Sequence, residues 1–187
     1  MKTSAFLTAM ILIALSLTGC VEDDGEPMET VPYVDLERFM GDWYVVANIP
    51  TSLEKGAHNA LESYAMNPDG TVATTFSFNE DGFDGPRKIY RPKGLILDKK
   101  TNARWGMQFV WPIKADYRII YLDEDYQLTV VGRSKRDYVW VMSRTPKISD
   151  EDFVRVKGFV GSVGIKQPAV SAITEAARQS GSRVTSP

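Results

Sequence analysis

The chain of 187 residues holds one cysteine, Cys20, and one histidine, His58. A single thiol excludes an intramolecular disulfide, so the folded part must stand on core packing alone, and it excludes a cysteine-based metal site. A single imidazole leaves no second His for a metal cluster, and Ser/His/Asp chemistry would have to run through His58 without a nucleophile-elbow motif. The context Gly56-Ala57-His58-Asn59 reads as a solvated loop before a strand rather than as a haem ligand or a general base. Neither charge sign dominates: 22 Lys and Arg face 24 Asp and Glu, a formal net charge of −2, with no basic stripe for nucleic acid. Glu80, Asp81 and Asp84 lack the spacing of a calcium loop. Asp123-Glu124-Asp125 reads as a solvated turn in which Asp125 caps backbone amides. No metal and no cofactor is therefore expected. The longest apolar run, Ala5 to Leu17, is too short to span a bilayer comfortably.

That run has the form of a signal peptide. Lys2 supplies the positive region, Thr8 and Ser16 are its polar interruptions, and Leu17-Thr18-Gly19-Cys20 closes it. The closing tetrapeptide resembles the lipobox of bacterial lipoproteins, where signal peptidase II cuts before the Cys. The resemblance implies a leader over 1–19 and Cys20 as the first mature residue, carrying a diacylglycerol thioether and an N-acyl chain. That exceeds the two membrane signals stable anchoring needs. Val21 after the Cys, in place of Asp, favours the outer membrane by the sorting pattern of such lipoproteins. Residues 20–32 are rich in acidic residues and lack apolar periodicity, as a flexible tether would.

The folded region is expected over 33–165. Val34–Met40 reads as a short helical turn with Asp35 as N-cap, ended by Gly41. Eight β-rich runs follow, at Trp43–Ile49, Leu61–Met66, Thr71–Phe78, Lys88–Leu97, Ala103–Trp111, Asp116–Leu122, Tyr126–Gly132 and Tyr138–Ser143. Asn67-Pro68-Asp69-Gly70 makes a hairpin turn, and Asn79–Pro86 makes a Gly- and Asp-rich rim loop. Eight meandering strands with one-sided alternation favour an all-β fold, an eight-stranded antiparallel up-and-down barrel, which leaves no exposed edge; the alternative is a sandwich, against which no strand reads as a long crossover partner. Ser149-Asp150-Glu151-Asp152 opens a helix whose Phe153, Val156 and Val160 fall on one side, suited to packing on the barrel wall. The tail 166–187 reads as a weaker helix from Pro168 to about Ala177 and then a frayed end.

Three motifs now stand in order: Gly41-Asp42-Trp43-Tyr44, then Asp123-Glu124-Asp125-Tyr126, then Arg144 within Ser143-Arg144-Thr145-Pro146. Together they resemble the three motifs of the lipocalins over about Val34 to Ile165. Arg136-Asp137-Tyr138-Val139-Trp140 and Ile148-Ser149 are similar to the bacterial branch, the outer-membrane lipoproteins that bind fatty acids and lysophospholipids and are related to apolipoprotein D. The resemblance implies that Gly41, Trp43, Asp125, Tyr126 and Arg144 close one barrel end, with the Arg144 guanidinium on the Trp43 indole face. It also implies a lipid ligand, a periplasmic site on the outer membrane, no catalysis, and an open question of homodimerisation. Two departures stand out. No ninth strand is evident after Gly164, and Glu62 puts a carboxylate on the face of Tyr64, where a small residue is expected.

Strand alternation assigns the inward faces. Trp43, Val45, Ala47 and Ile49 share one, Tyr64 and Met66 go with Glu62, and Tyr117, Ile119 and Tyr121 form a third. The ligand-facing set is expected to be Tyr64, Trp105, Met107, Phe109, Tyr117, Ile119, Tyr138 and Trp140, an apolar and aromatic lining suited to acyl chains. Tyr117 is the expected head-group contact at the open rim. Two other classes remain: an enzyme acting through Glu62, and a structural envelope protein whose barrel is filled.

Overall fold

The computed structural model describes residues 28–165. Helix α1 (Leu36–Phe39) begins at Asp35, whose side chain accepts from the Glu37 and Arg38 amides. Nine strands follow: β1 (Gly41–Ile49), β2 (Ala57–Met66), β3 (Val72–Glu80), β4 (Arg87–Tyr90), β5 (Lys93–Ile96), β6 (Arg104–Gln108), β7 (Ala115–Leu122), β8 (Leu128–Gly132) and β9 (Val139–Ser143). They form one antiparallel sheet that closes on itself, because β1 pairs with both β2 and β9 and β2 also pairs with β3.

The expected fourth strand is divided. Both β4 and β5 pair with β3, through Phe76↔Tyr90 and Val72↔Gly94, and Pro92 stands between them. Proline has no amide for the ladder, so the stave breaks there. Only its carbonyl serves, accepting from Thr74 N at 3.3 Å. Counted as one stave, β4 and β5 complete the eight-stranded barrel that the sequence predicts.

Other boundaries also move. β8 begins at Leu128, because Tyr126 lies in a turn with φ of +58°. β6 ends at Gln108, so Phe109 to Trp111 belong to a rim loop. His58 lies in β2, not in a loop; its Nδ1 is 3.0 Å from the Gly56 carbonyl and its ring meets Phe83 edge-on at 5.0 Å.

Two bulges change which residues face inward. The β1–β9 register shifts between Val45 and Ala47, and the β7–β8 register shifts between Ile119 and Tyr121. Each inserts one residue and reverses the alternation beyond it. Trp43, Val45 and Ile119 therefore lie in the interior cluster, whereas Ala47, Ile49 and Tyr121 belong to a second cluster on the outer wall. That corrects the simple alternation. The second cluster is covered by α2 (Asp150–Ser162), capped by the Ser149 hydroxyl on the Asp152 amide. Val156 and Val160 are fully covered there, and Phe159 meets Tyr121 at 5.3 Å. Met66, expected with the inward set, is 40% exposed at the end of β2. Among the described residues no strand follows α2. Cys20, the expected leader over 1–19 and the 166–187 tail lie outside the described residues, while the end of the expected 20–32 tether is packed on the barrel: Met28 is buried and Val31 N donates to Ile119 O at 3.0 Å.

Candidate functional site

One end of the barrel is closed by a residue that does several jobs at once. The Arg144 guanidinium carbon lies 3.8 Å from the Trp43 ring centroid. Its Nη2 donates to the carbonyls of Arg38, Phe39 and Met40, at 2.7, 3.1 and 2.9 Å. Its Nη1 donates to Asp42 O at 2.8 Å, and its Nε to Tyr126 O at 3.3 Å. The carbonyls at the end of α1 have no helical partner of their own, so the arginine fork satisfies groups the short helix must leave open. Trp43 Nε1 adds a bond to Phe39 O at 2.8 Å. Gly41 has φ of +93°, and a Cβ there would stand 3.4 Å from Arg144 Nη1. The positive φ is what favours glycine here; the contact itself is an ordinary one.

The second motif acts at the same end. Tyr126 OH accepts from the Asp35 amide at 2.8 Å, and the Arg38 guanidinium sits 4.0 Å over its ring. Turn capping falls to a different acid than expected. Asp123, not Asp125, accepts from the Gln127 and Leu128 amides, at 2.7 and 2.9 Å. Asp125 contributes its carbonyl, to Gln127 Nε2. An aspartate before the turn can reach amides that fold back over it; one inside the turn points to solvent.

Above this floor a cavity of about 300 Å³ opens at the other end of the barrel. Met107, Phe109, Tyr117, Tyr138 and Trp140 of the expected set line it. Tyr64, Trp105 and Ile119 sit in the packed interior cluster instead, with Phe39 5.7 Å from Tyr64 and 5.6 Å from Trp105. Trp105 stacks on Tyr117 at 5.1 Å with planes 13° apart. Tyr117 is thus not a rim residue. It is 6% exposed, and its hydroxyl bonds that of Tyr64 at 2.8 Å.

Three polar groups stand out against this apolar lining. Glu62, half-buried on β2, lines the cavity and accepts from Tyr64 OH at 2.5 Å. Burial raises its pKa to about 7, against the lowering effect of the Tyr64 hydrogen bond, and the Glu54 carboxylate adds to the rise. Burial likewise pushes the Tyr64 and Tyr117 hydroxyls upward, so both stay protonated. Glu54, from the loop between β1 and β2, is 6% exposed; it accepts from Trp140 Nε1 at 2.7 Å and from the Thr51 amide at 2.7 Å. Arg133, after β8, lies at the mouth with its guanidinium 5.1 Å over the Tyr138 ring and 3.5 Å from Asp137. Its buried Nε has no partner.

Glu54 and Arg133 were missed in the sequence because loops carry no alternation to assign a side chain inward. Phe76 and Tyr90, also on the cavity wall, could have been found. Thr74, Phe76 and Phe78 alternate as an inward face of β3. The rim loops around the mouth expose large apolar side chains: Leu53 at 51%, Phe83 at 47%, Trp111 at 82% and Ile113 at 69%.

A closed antiparallel barrel, corked at one end and hollow with an aromatic lining toward the other, defines a small-ligand container. The comparisons with known proteins agree. Residues 34–174 match the lipocalin-like domain model, and the chain belongs to that family. It is 31% identical to temperature-induced lipocalin-1 of Arabidopsis thaliana over 135 residues, 67% of this chain and 71% of that one. It is 30% identical to the outer membrane lipoprotein Blc of Escherichia coli over 120 residues, 63% of this chain and 66% of that one. The fold is that of insecticyanin from the tobacco hornworm, with a TM-score of 0.56 and 13% identity over 82% of this chain and 83% of that one.

Proposed function

We propose that this protein is an outer-membrane lipoprotein, anchored through Cys20 on the periplasmic side, whose barrel carries fatty acids or lysophospholipids for storage, transport or envelope maintenance. The observation that carries the reading is the hollow itself, about 300 Å³, walled by Met107, Phe109, Tyr138 and Trp140 and open at one end. Transfer of an acyl chain into such a space contributes about 0.8 kcal/mol per buried CH₂. Methionine and aromatic walls adapt to chains of different length. The charge at the mouth sets the orientation. Arg133, with a buried Nε lacking a partner, would hold an anionic carboxylate or phosphate while the chain enters first. The likeness to an outer membrane lipoprotein supports the anchored reading, as does the lipobox-like Leu17-Thr18-Gly19-Cys20.

Native mass spectrometry of a soluble Cys20→Ser form tests this. Lipid that co-purifies at one per chain supports the carrier; an empty barrel that takes up no added hexadecanoic acid or lysophospholipid sinks it. A second reading rests on one observation, the Glu62 carboxyl with a pKa of about 7 facing the cavity, as a general base would. Turnover of a hydrophobic substrate that Glu62→Gln abolishes, with lipid binding intact, would favour that enzyme.

A further inference from the structure

We infer that Glu62 and Tyr117, bridged by the Tyr64 hydroxyl, form a hydrogen-bonding subsite at the base of the cavity for a hydroxyl group at the leading end of the ligand, so that the favoured cargo is a hydroxylated long chain rather than a plain one. The inference rests on the carrier reading above.

Position comes first. Glu62 lies across from Trp43 on β1 and Phe76 on β3, at a register that turns its side chain into the barrel. It stands above the packed floor of Tyr64, Trp105 and Phe39, which themselves lie within 5.7 Å ring to ring. An apolar chain whose charged head stays at Arg133 therefore meets Glu62 with its far end.

Proton counting comes second. Tyr64 has one hydroxyl hydrogen, and Glu62 Oε2 receives it at 2.5 Å. The 2.8 Å contact between the two tyrosine oxygens must then be donated by Tyr117. The chain of donors ends there. Among the described residues Glu62 Oε1 has no hydrogen-bond partner, and the Tyr117 oxygen accepts from none. Directly across from Tyr64, Thr74 is 3% exposed and its hydroxyl has no partner either. Buried polar groups are ordinarily satisfied, so the Thr74 hydroxyl is the costly one here, whereas half-buried Glu62 opens onto the cavity and can take its further partner from there. A role in packing alone would be met better by an apolar side chain of similar size.

The chemistry of the missing partner follows. With a pKa of about 7, Glu62 is present as both acid and carboxylate near neutrality. A ligand hydroxyl suits both, since it donates to the carboxylate or accepts from the acid. A carbonyl suits the acid alone, and a terminal methyl suits neither.

Calorimetric titration of the otherwise full-length Cys20→Ser protein with hexadecanoic acid and 16-hydroxyhexadecanoic acid tests the subsite. Wild-type residues at the cluster should bind the hydroxylated acid about tenfold more tightly, the effect of one hydrogen bond to a group left unpaired without it. Glu62→Ala should remove the preference while hexadecanoic acid binds at least as tightly as before. Glu62→Gln, which keeps an acceptor and a donor, should retain most of the preference and provides a second variant if alanine disturbs the fold. Equal affinities for the two acids, or a preference undiminished in Glu62→Ala, would overturn the subsite and leave the carrier standing. Failure of both acids to bind would remove the carrier reading and this inference with it.

Discussion

Replacing Arg144 by alanine removes the cork of the barrel, and the structure allows its cost to be worked out. The guanidinium loses its contact with the Trp43 ring at 3.8 Å, worth about 1 kcal/mol for a half-buried cation–π pair. It also leaves the carbonyls of Arg38, Phe39, Met40, Asp42 and Tyr126 without their donor. The bonds to Arg38 and Asp42 are exposed and the other three are partly buried, so water can replace part of what is lost and the net loss is about 2 kcal/mol, that of one strong charged hydrogen bond. The sum, about 3 kcal/mol, should lower the urea midpoint of the soluble protein by about 1.5 M, taking an m-value of about 2 kcal/mol/M. Arg144→Lys keeps the charge but not the planar fork and should fall between the two. The cavity lies at the opposite end, so hexadecanoic acid should bind the folded variant as it binds wild type. A midpoint unchanged within about 0.3 M would refute the energetic argument. A variant of normal stability that no longer binds lipid would place Arg144 in the ligand site and refute the geometry.

Other substitutions follow from the same contacts. Gly41→Ala forces a side chain into φ of +93° beside Arg144 and should cost about 1–2 kcal/mol, read as a lowered melting temperature. Asp123→Ala should cost about 1 kcal/mol through the loss of two turn amides, whereas Asp125→Ala should be nearly neutral; equal effects in urea unfolding would contradict the assignment. Glu62 carries a pH dependence. Its folded pKa of about 7 lies above the unfolded value near 4.5, so the folded state holds the proton more tightly. Stability is therefore highest below pH 4.5 as far as this group is concerned, and falls as pH rises through 7 by up to about 3 kcal/mol. The urea midpoint of wild type should decline from pH 5 to pH 8 more steeply than that of Glu62→Gln; parallel profiles would show the carboxyl to be ordinary.

The closed end was legible in the sequence because its residues form contiguous motifs whose chemistry is specific. Trp43 and Arg144 do stack, and Asp35 and Ser149 do cap the helices assigned to them. Strand alternation served within β9, whose register with β8 runs unbroken and whose Trp140 faces inward, and Tyr138 just before that strand also reaches the cavity. It failed beyond the bulges at Val45/Ala47 and Ile119/Tyr121, which no residue type announces. The outward Ala47 and Tyr121 look no different in sequence from inward residues, and only the helix packed over them explains their burial. Pro92 should have marked the broken stave, since its missing amide is a local property. Glu62 was recognisable as an inward carboxylate by parity, and its partner Tyr64 is two residues along the same strand, but the Tyr117 hydroxyl that bonds Tyr64 lies 53 residues further on and reaches it only when the barrel closes.

The central claim is that an apolar chain occupies the space inside the barrel. Ala115 lies on the cavity wall at the start of β7, paired with Met107, where a larger side chain would fill the hollow without touching the Arg144 cork. Titration of hexadecanoic acid into the Cys20→Ser protein and into the same protein with Ala115→Phe is the direct measurement. The account predicts saturable one-to-one binding in the first and at least about tenfold weaker binding in the second, with the urea midpoint little changed. Equal affinity in both would place the chain outside the cavity and contradict the account.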